Sequence, residues 1–160
     1  MKRFGGTFVL ALVLMGAPAR AVDRPYRVAA GVNVGGGQVD WRLNPGWMLE
    51  ARAQGGTENG AEKTNSLLYG LRGYRFFHVG RPSFFGGLEL AHTQAKRNSA
   101  AYRAEGMAAG AFVGAEFRLL SHLYFLMDAG PYVISMSERR TGLSDTSLDF
   151  VADLALVVGF

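Results

Sequence analysis

The chain has 160 residues, 49% apolar and 19% charged, with 22 Gly and no Cys. That fits one domain and excludes disulfide scaffolds, zinc–thiolate and iron–sulfur centres, and cysteine catalysis. The formal charge of +4 falls to +1 without Lys2, Arg3 and Arg20, leaving 14 basic and 13 acidic residues, so no nucleic-acid partner is expected.

Residues 1–21 read as a cleavable export signal. Lys2 and Arg3 open it, Phe8 to Met15 form an apolar run, and Ala19-Arg20-Ala21 is a small-x-small cleavage site. The run is roughly half of the ~20 apolar residues that a membrane-spanning helix needs. Residues 22–160 then form a single mature domain. Its closest approach to an apolar helix, Leu119 to Met127, is interrupted by Ser121 and His122.

The mature chain alternates with period two, which places one face of an extended strand in an apolar medium. Tyr26, Val28, Ala30, Val32 and Val34 share one face, opposite Arg27, Ala29, Gly31 and Asn33. Trp47, Leu49, Ala51 and Ala53 stand opposite Met48, Glu50, Arg52 and Gln54. Ala109 to Leu119 and Phe150 to Phe160 behave alike. Further strands are expected over 66–77, 83–94 and 123–136. Pro131 cannot donate to a ladder, so a bulge is expected beside it.

These segments make seven strands, and a closed antiparallel ring with both ends on one rim needs an even number. Splitting residues 24–43 into a hairpin that turns at Gly35-Gly36-Gly37 gives eight. Short connections (43–46, 78–82, 120–122) alternate with long polar ones (55–65, 95–105, 137–147), as in outer-membrane barrels. Period alone leaves open whether the apolar rows face lipid or line the cavity of a soluble barrel. The apolar rows are nearly free of charge, and the opposite rows mix charge with Gly and Ala. The chain also stops at Phe160 within an apolar row. All three favour rows that face outward, into lipid.

The leader, the alternation, the connection lengths and Phe160 together resemble the small eight-stranded outer-membrane β-barrels. These are the OmpA transmembrane-domain, OmpX and opacity-type proteins of Gram-negative bacteria. The resemblance covers nearly all of the mature chain and rests on pattern. It implies an all-β, up-and-down transmembrane barrel with short periplasmic turns and longer extracellular loops. It also implies that Leu154, Leu156, Val158 and Phe160 form the signal read by the outer-membrane assembly machinery. Many members carry a second aromatic residue where this chain has Val158.

The inward row would hold Arg27, Asp40, Arg42, Glu50, Arg52, Arg72, Glu89, Glu116, Arg118, Asp128, Asp149 and Asp153. Charges confined in a narrow tube must pair, so this row reads as an ion network rather than an open path. The family also includes lipid A deacylases and acyltransferases, which need a nucleophile near a base. Here His78 and His122 fall in turns on the periplasmic side. His92 shares the parity of Leu88 and Leu90 and has no Ser nearby, so no catalysis, cofactor or metal is expected.

The working surface is expected in the loops. Lys96, Arg97, Arg103, Arg139 and Arg140 are placed to meet lipopolysaccharide phosphates or an anionic extracellular partner. Tyr26, Trp41, Trp47, Tyr69, Phe84 and Tyr102 are candidates for interfacial aromatic girdles. The expected function is structural, envelope-stabilising or adhesive, in the outer membrane. The alternatives are a soluble periplasmic barrel holding a small apolar ligand, and a lipid A-modifying enzyme.

Overall fold

Residues that alternate in polarity can be sorted to two sides only in extended chain, and the chain is strand almost throughout. The computed structural model describes residues 26–44, 46–59, 63–78, 81–97, 103–138 and 141–160. The expected export signal (residues 1–21), Tyr102, Arg139 and Arg140 lie outside the described residues. The strands are β1 (Val28–Asn33), β2 (Gly36–Asn44), β3 (Trp47–Asn59), β4 (Lys63–His78), β5 (Ser83–Arg97), β6 (Arg103–Arg118), β7 (Leu123–Glu138) and β8 (Ser144–Gly159). Each pairs antiparallel with the next. β8 also pairs with β1, from Gly159↔Ala29 to Ala155↔Asn33, so the eight strands form a ring-like sheet.

The hairpin expected within residues 24–43 is present. Its turn is tighter than a triple-glycine loop. Asn33 pairs with Gly36, and only Val34 and Gly35 lie between the arms. Gly35 takes φ 88°, a conformation that a side chain disfavours; Gly36 and Gly37 belong to β2.

Strand register sets the shape. A walk perpendicular to the strands from Ala29 passes Asp40, Glu50, Arg72, Glu89, Gly110 and Tyr132 and arrives at Asp149. Ala29 itself pairs with Gly159, a stagger of ten residues around the ring. With eight strands, this stagger corresponds to a tilt of about 40° and an interior just wide enough for side chains. We call lower the rim with the connections at 45–46, 79–82 and 119–122, and upper the rim at 34–35, 60–62, 98–102 and 139–143.

The apolar rows face outward and the mixed rows inward, along every strand. Leu71, Leu90, Leu154 and Leu156 are exposed, whereas Glu50, Arg52, Arg72 and Glu89 are buried. The lower interior is filled by Tyr26, Met48, Tyr74, Phe76, Phe85, Phe112, Tyr124 and Leu126. Tyr74 and Phe85 have ring centroids 5.0 Å apart, and Phe76 and Phe85 5.5 Å. Such edge and tilted contacts make a tight aromatic plug.

Three expectations are corrected. The polar segments read as long loops are mostly strand: β3 continues to Asn59, β4 starts at Lys63, and β8 starts at Ser144. Connections on the two rims are therefore similar in length, because polar residues extend the ladders beyond the apolar rows. The bulge expected at Pro131 is absent. The β6–β7 register is the same at Gly110↔Tyr132 and Val113↔Ala129, and β7–β8 pairing runs unbroken through Pro131↔Phe150. The missing donor therefore interrupts pairing on one side without shifting it. Tyr26, expected on the outer face, is buried with its ring 5.1 Å from that of Tyr124. It precedes β1, so strand parity does not reach it.

Candidate functional site

Above the aromatic plug, β3, β4, β5, β7 and β8 bring charged side chains together. All come from the inward parity, so the alternation that exposes the apolar rows also buries these charges. Arg52 grips Glu89 with two contacts, Nε to Oε1 at 2.8 Å and Nη2 to Oε2 at 2.6 Å. Its Nη1 donates to Asp153 Oδ2 at 2.6 Å, which also accepts from Gln54 Nε2 at 3.2 Å. Arg72 grips Asp128 through Nη1 (3.1 Å) and Nη2 (2.5 Å) and reaches Glu50 Oε1 at 3.4 Å. Its Nε lies 3.3 Å from Glu89 Oε2, joining the two arginine groups into one cluster. The Tyr132 hydroxyl donates to the same Glu89 oxygen at 2.6 Å. The Arg72 guanidinium also stacks over the Phe112 ring, 3.7 Å from its centroid, and so ties the cluster to the plug below.

Two guanidinium groups thus serve four carboxylates, and the forked contacts have the geometry of the strongest charge-assisted bonds. Both oxygens of Glu89 and both of Asp128 are occupied. The arrangement locks charges in place across the interior.

Six expected network residues meet here: Glu50, Arg52, Arg72, Glu89, Asp128 and Asp153. Glu116 is buried nearer the lower rim, and Arg42 is half-buried near the lower end of β2. Arg27 and Arg118 are corrections: both are exposed. Arg27 precedes β1. Arg118 ends β6, where its guanidinium bonds the carbonyls of Leu120 (3.3 Å) and Ser121 (3.1 Å). Asp149 is also exposed and accepts from Ser147 Oγ at 3.0 Å. Sequence reading missed the neutral members. Gln54 and Tyr132 share the inward parity, and that was their only signal. Asn33 and Gln38 extend the polar contacts to Asp40, Asn33 Nδ2 donating to Gln38 Oε1 at 3.4 Å and Gln38 Nε2 to Asp40 Oδ1 at 3.2 Å.

On the upper rim, Lys96 and Arg103 are exposed and directly paired across β5 and β6, and Arg97 ends β5. A cleft of about 330 Å³ beside them is lined by Asn65, Ser66, Gln94, Lys96, Arg103 and Glu105. His92 stands on the outer face against the Tyr69 ring (5.0 Å), with Gln94 Nε2 3.4 Å from its Nε2. Trp41, Trp47 and Phe84 lie at the lower ends of their strands on the outer face. Among the described residues, no group of three His, Asp or Glu is placed to hold a metal ion. Compared with protein-family models, curated proteins and solved structures, the chain matches none.

Proposed function

We propose that the chain is an integral outer-membrane β-barrel with a structural, envelope-stabilising or surface-interaction role and no catalysis of its own. One observation carries this reading: the polarity is inverted relative to a protein built for water. Leucines such as Leu71 and Leu90 are exposed along the outer rows, while Arg52, Arg72 and Glu89 are buried inside. A water-exposed wall of this kind would be an aggregation surface, whereas hydrocarbon is its natural solvent. The outward row of β8 runs apolar from Val158 to Leu148. At a tilt of about 40° these ten residue steps rise about 25 Å, the height of an outer-membrane apolar band. Trp41, Trp47 and Phe84 at its lower edge and Tyr69 and His92 toward its upper edge suit interfacial girdles.

In this reading Lys96 and Arg103 face lipopolysaccharide phosphates or an anionic extracellular ligand. The outward row Leu154, Leu156, Val158 and Phe160 is offered to the outer-membrane assembly machinery. The plug and the cluster together obstruct the interior, so ion conductance is small or absent.

The test is extraction and heat-modifiability. Membranes carrying the mature protein are washed with carbonate and urea, then run on a denaturing gel with and without boiling. Retention in the membrane with a mobility shift on boiling is the expected result. Release into the wash without a shift overturns the reading.

A further inference from the structure

The ring is not equally tall on all sides. β1 and β2 end at the Val34–Gly35 turn, where Val34 N–H donates to the Leu154 carbonyl (3.1 Å) and Gly55 N–H to the Gly35 carbonyl (2.8 Å). Above that turn, among the described residues, Ser144–Asp153 of β8 has only β7 beside it, and Gly56–Asn59 of β3 has only β4. β3 and β8 do not pair with each other. The wall formed by the described residues therefore has an opening two strands wide, the space that β1 and β2 occupy lower down.

The opening starts well inside the apolar belt. Above Leu154 the outward row of β8 continues through Ala152 and Phe150 to Leu148, about 15 Å of further rise at this tilt. Phe150 is 75% exposed, and Ser144–Phe150 is exposed on both faces. The wall facing the opening across the interior is built of small and mostly apolar residues: Ala91 and Ala108 are buried there, beside half-buried Leu68, Thr93 and Ile134, while the β8 margin carries Val151 below an exposed, hydrogen-bonded Asp149 and Ser147. Its floor is charged. Arg52 and Gln54 of β3 meet Asp153 of β8 directly beneath the opening. The exposed β8 edge is partly capped, Leu154 N–H donating to Asp153 Oδ1 (3.0 Å) and Thr146 N–H to Asp145 Oδ1 (2.8 Å). Between them, strand alternation aims the backbone groups of Leu148, Phe150 and Ala152 into the opening.

We propose that this opening admits one acyl chain of a membrane lipid from the bilayer into the upper interior, with the Arg52–Asp153 pair as its floor. The inference rests on the reading of the chain as a membrane barrel. An acyl chain matches the small apolar side chains of Ala91, Ala108, Leu68 and Ile134 across the interior and is the material that surrounds the opening at this depth. The uncapped β8 amides meet the ester or hydroxyl groups near the lipid headgroup. A second copy of the chain does not fit. Two barrels side by side with parallel axes would cross their β8 edges at about 80°, twice the tilt, which strand pairing does not allow.

The chain has no native Cys, so single-cysteine labels report without background. Thr93 and Met107 lie at one height on β5 and β6, Thr93 facing inward and Met107 outward, since Thr93 pairs with Gly106 and His92 with Met107. Thr93→Cys and Met107→Cys, each carrying a small fluorophore, are reconstituted in vesicles of phospholipid brominated along the acyl chain, and separately exposed to aqueous iodide. Comparable lipid quenching of both labels, with weak iodide quenching at position 93, is the expected result. Lipid quenching at 107 with iodide quenching at 93 means a water-filled interior and overturns the proposal, as does quenching at 93 by neither agent. Absence of lipid quenching at 107 overturns the membrane reading itself. A variant with the β1–β2 arms lengthened to span the opening should lose lipid quenching at 93 and keep it at 107; retained quenching at 93 overturns the route of entry.

Discussion

Arg72 illustrates what one residue does in this interior. Its guanidinium holds Asp128 with two contacts, reaches Glu50 and Glu89, and covers the Phe112 ring. A neutral replacement of similar length keeps much of the packing but strands two carboxylates in a buried place. Removing one partner of a buried pair costs about 3–5 kcal/mol. Arg72→Met is therefore expected to lower the urea midpoint of the refolded protein and to raise its step conductance in planar bilayers. An unchanged midpoint would mean that water already solvates these carboxylates. Most of the cluster was legible in the sequence, because parity alone sorted Glu50, Arg52, Arg72, Glu89, Asp128 and Asp153 inward. Arg27 and Arg118 were misread for physical reasons: Arg27 precedes β1, where parity has no meaning, and Arg118 is the last paired residue of β6, where its long side chain reaches the turn carbonyls of Leu120 and Ser121. Tyr132 and Gln54 were missed because an uncharged inward residue differs from ordinary packing only through its partner, which a sequence does not name.

At the scale of the element, β8 is the strand with most to do, since it pairs with β1 as well as β7 and carries the outward row Leu154, Leu156, Val158 and Phe160. Phe160 follows the last paired residue, its N–H bonding the Val28 carbonyl (2.9 Å), and its ring is 75% exposed. Its side chain thus contributes little to packing, and an assembly role would separate from a folding role. Phe160→Ala is expected to reduce the heat-modifiable protein that reaches the membrane in cells several-fold, while refolding into detergent micelles from urea stays near the parent's yield. Equal losses in both measurements would assign Phe160 to stability instead. Elements with long clean alternation, β3, β6 and β8, were legible over their apolar rows and at their lower ends, while their upper ends run four to six residues further. The loops were not, since Thr57, Asn65, Lys96 and Thr146 are polar enough to look like connections yet continue the ladders. Pro131 misled for a related reason. A lost donor need not shift register when β8 holds the strand firmly on its other side.

For the whole molecule, the deciding quantity is the medium outside the ring, and β4 offers two reporters of it. Leu71 lies midway along the outer apolar stretch, between Ala51 of β3 and Leu90 of β5, and is 56% exposed. Leu67, four residues nearer the upper rim and two from Asn65, is 45% exposed. In water these are equivalent surface positions, and arginine at either would change stability by no more than about 0.5 kcal/mol. In a bilayer the cost depends on depth, about 2–4 kcal/mol at the midplane and falling to about 0–1 kcal/mol near the interface. Leu71→Arg is therefore expected to destabilise the vesicle-reconstituted protein strongly, and Leu67→Arg only slightly. Reversible urea unfolding in vesicles measures both. The ratio between the two positions carries the argument, because backbone, strand and neighbouring rows are shared and only depth differs. Two small and equal effects would return the outer rows to water, and the charged interior would then need an explanation that no lipid supplies.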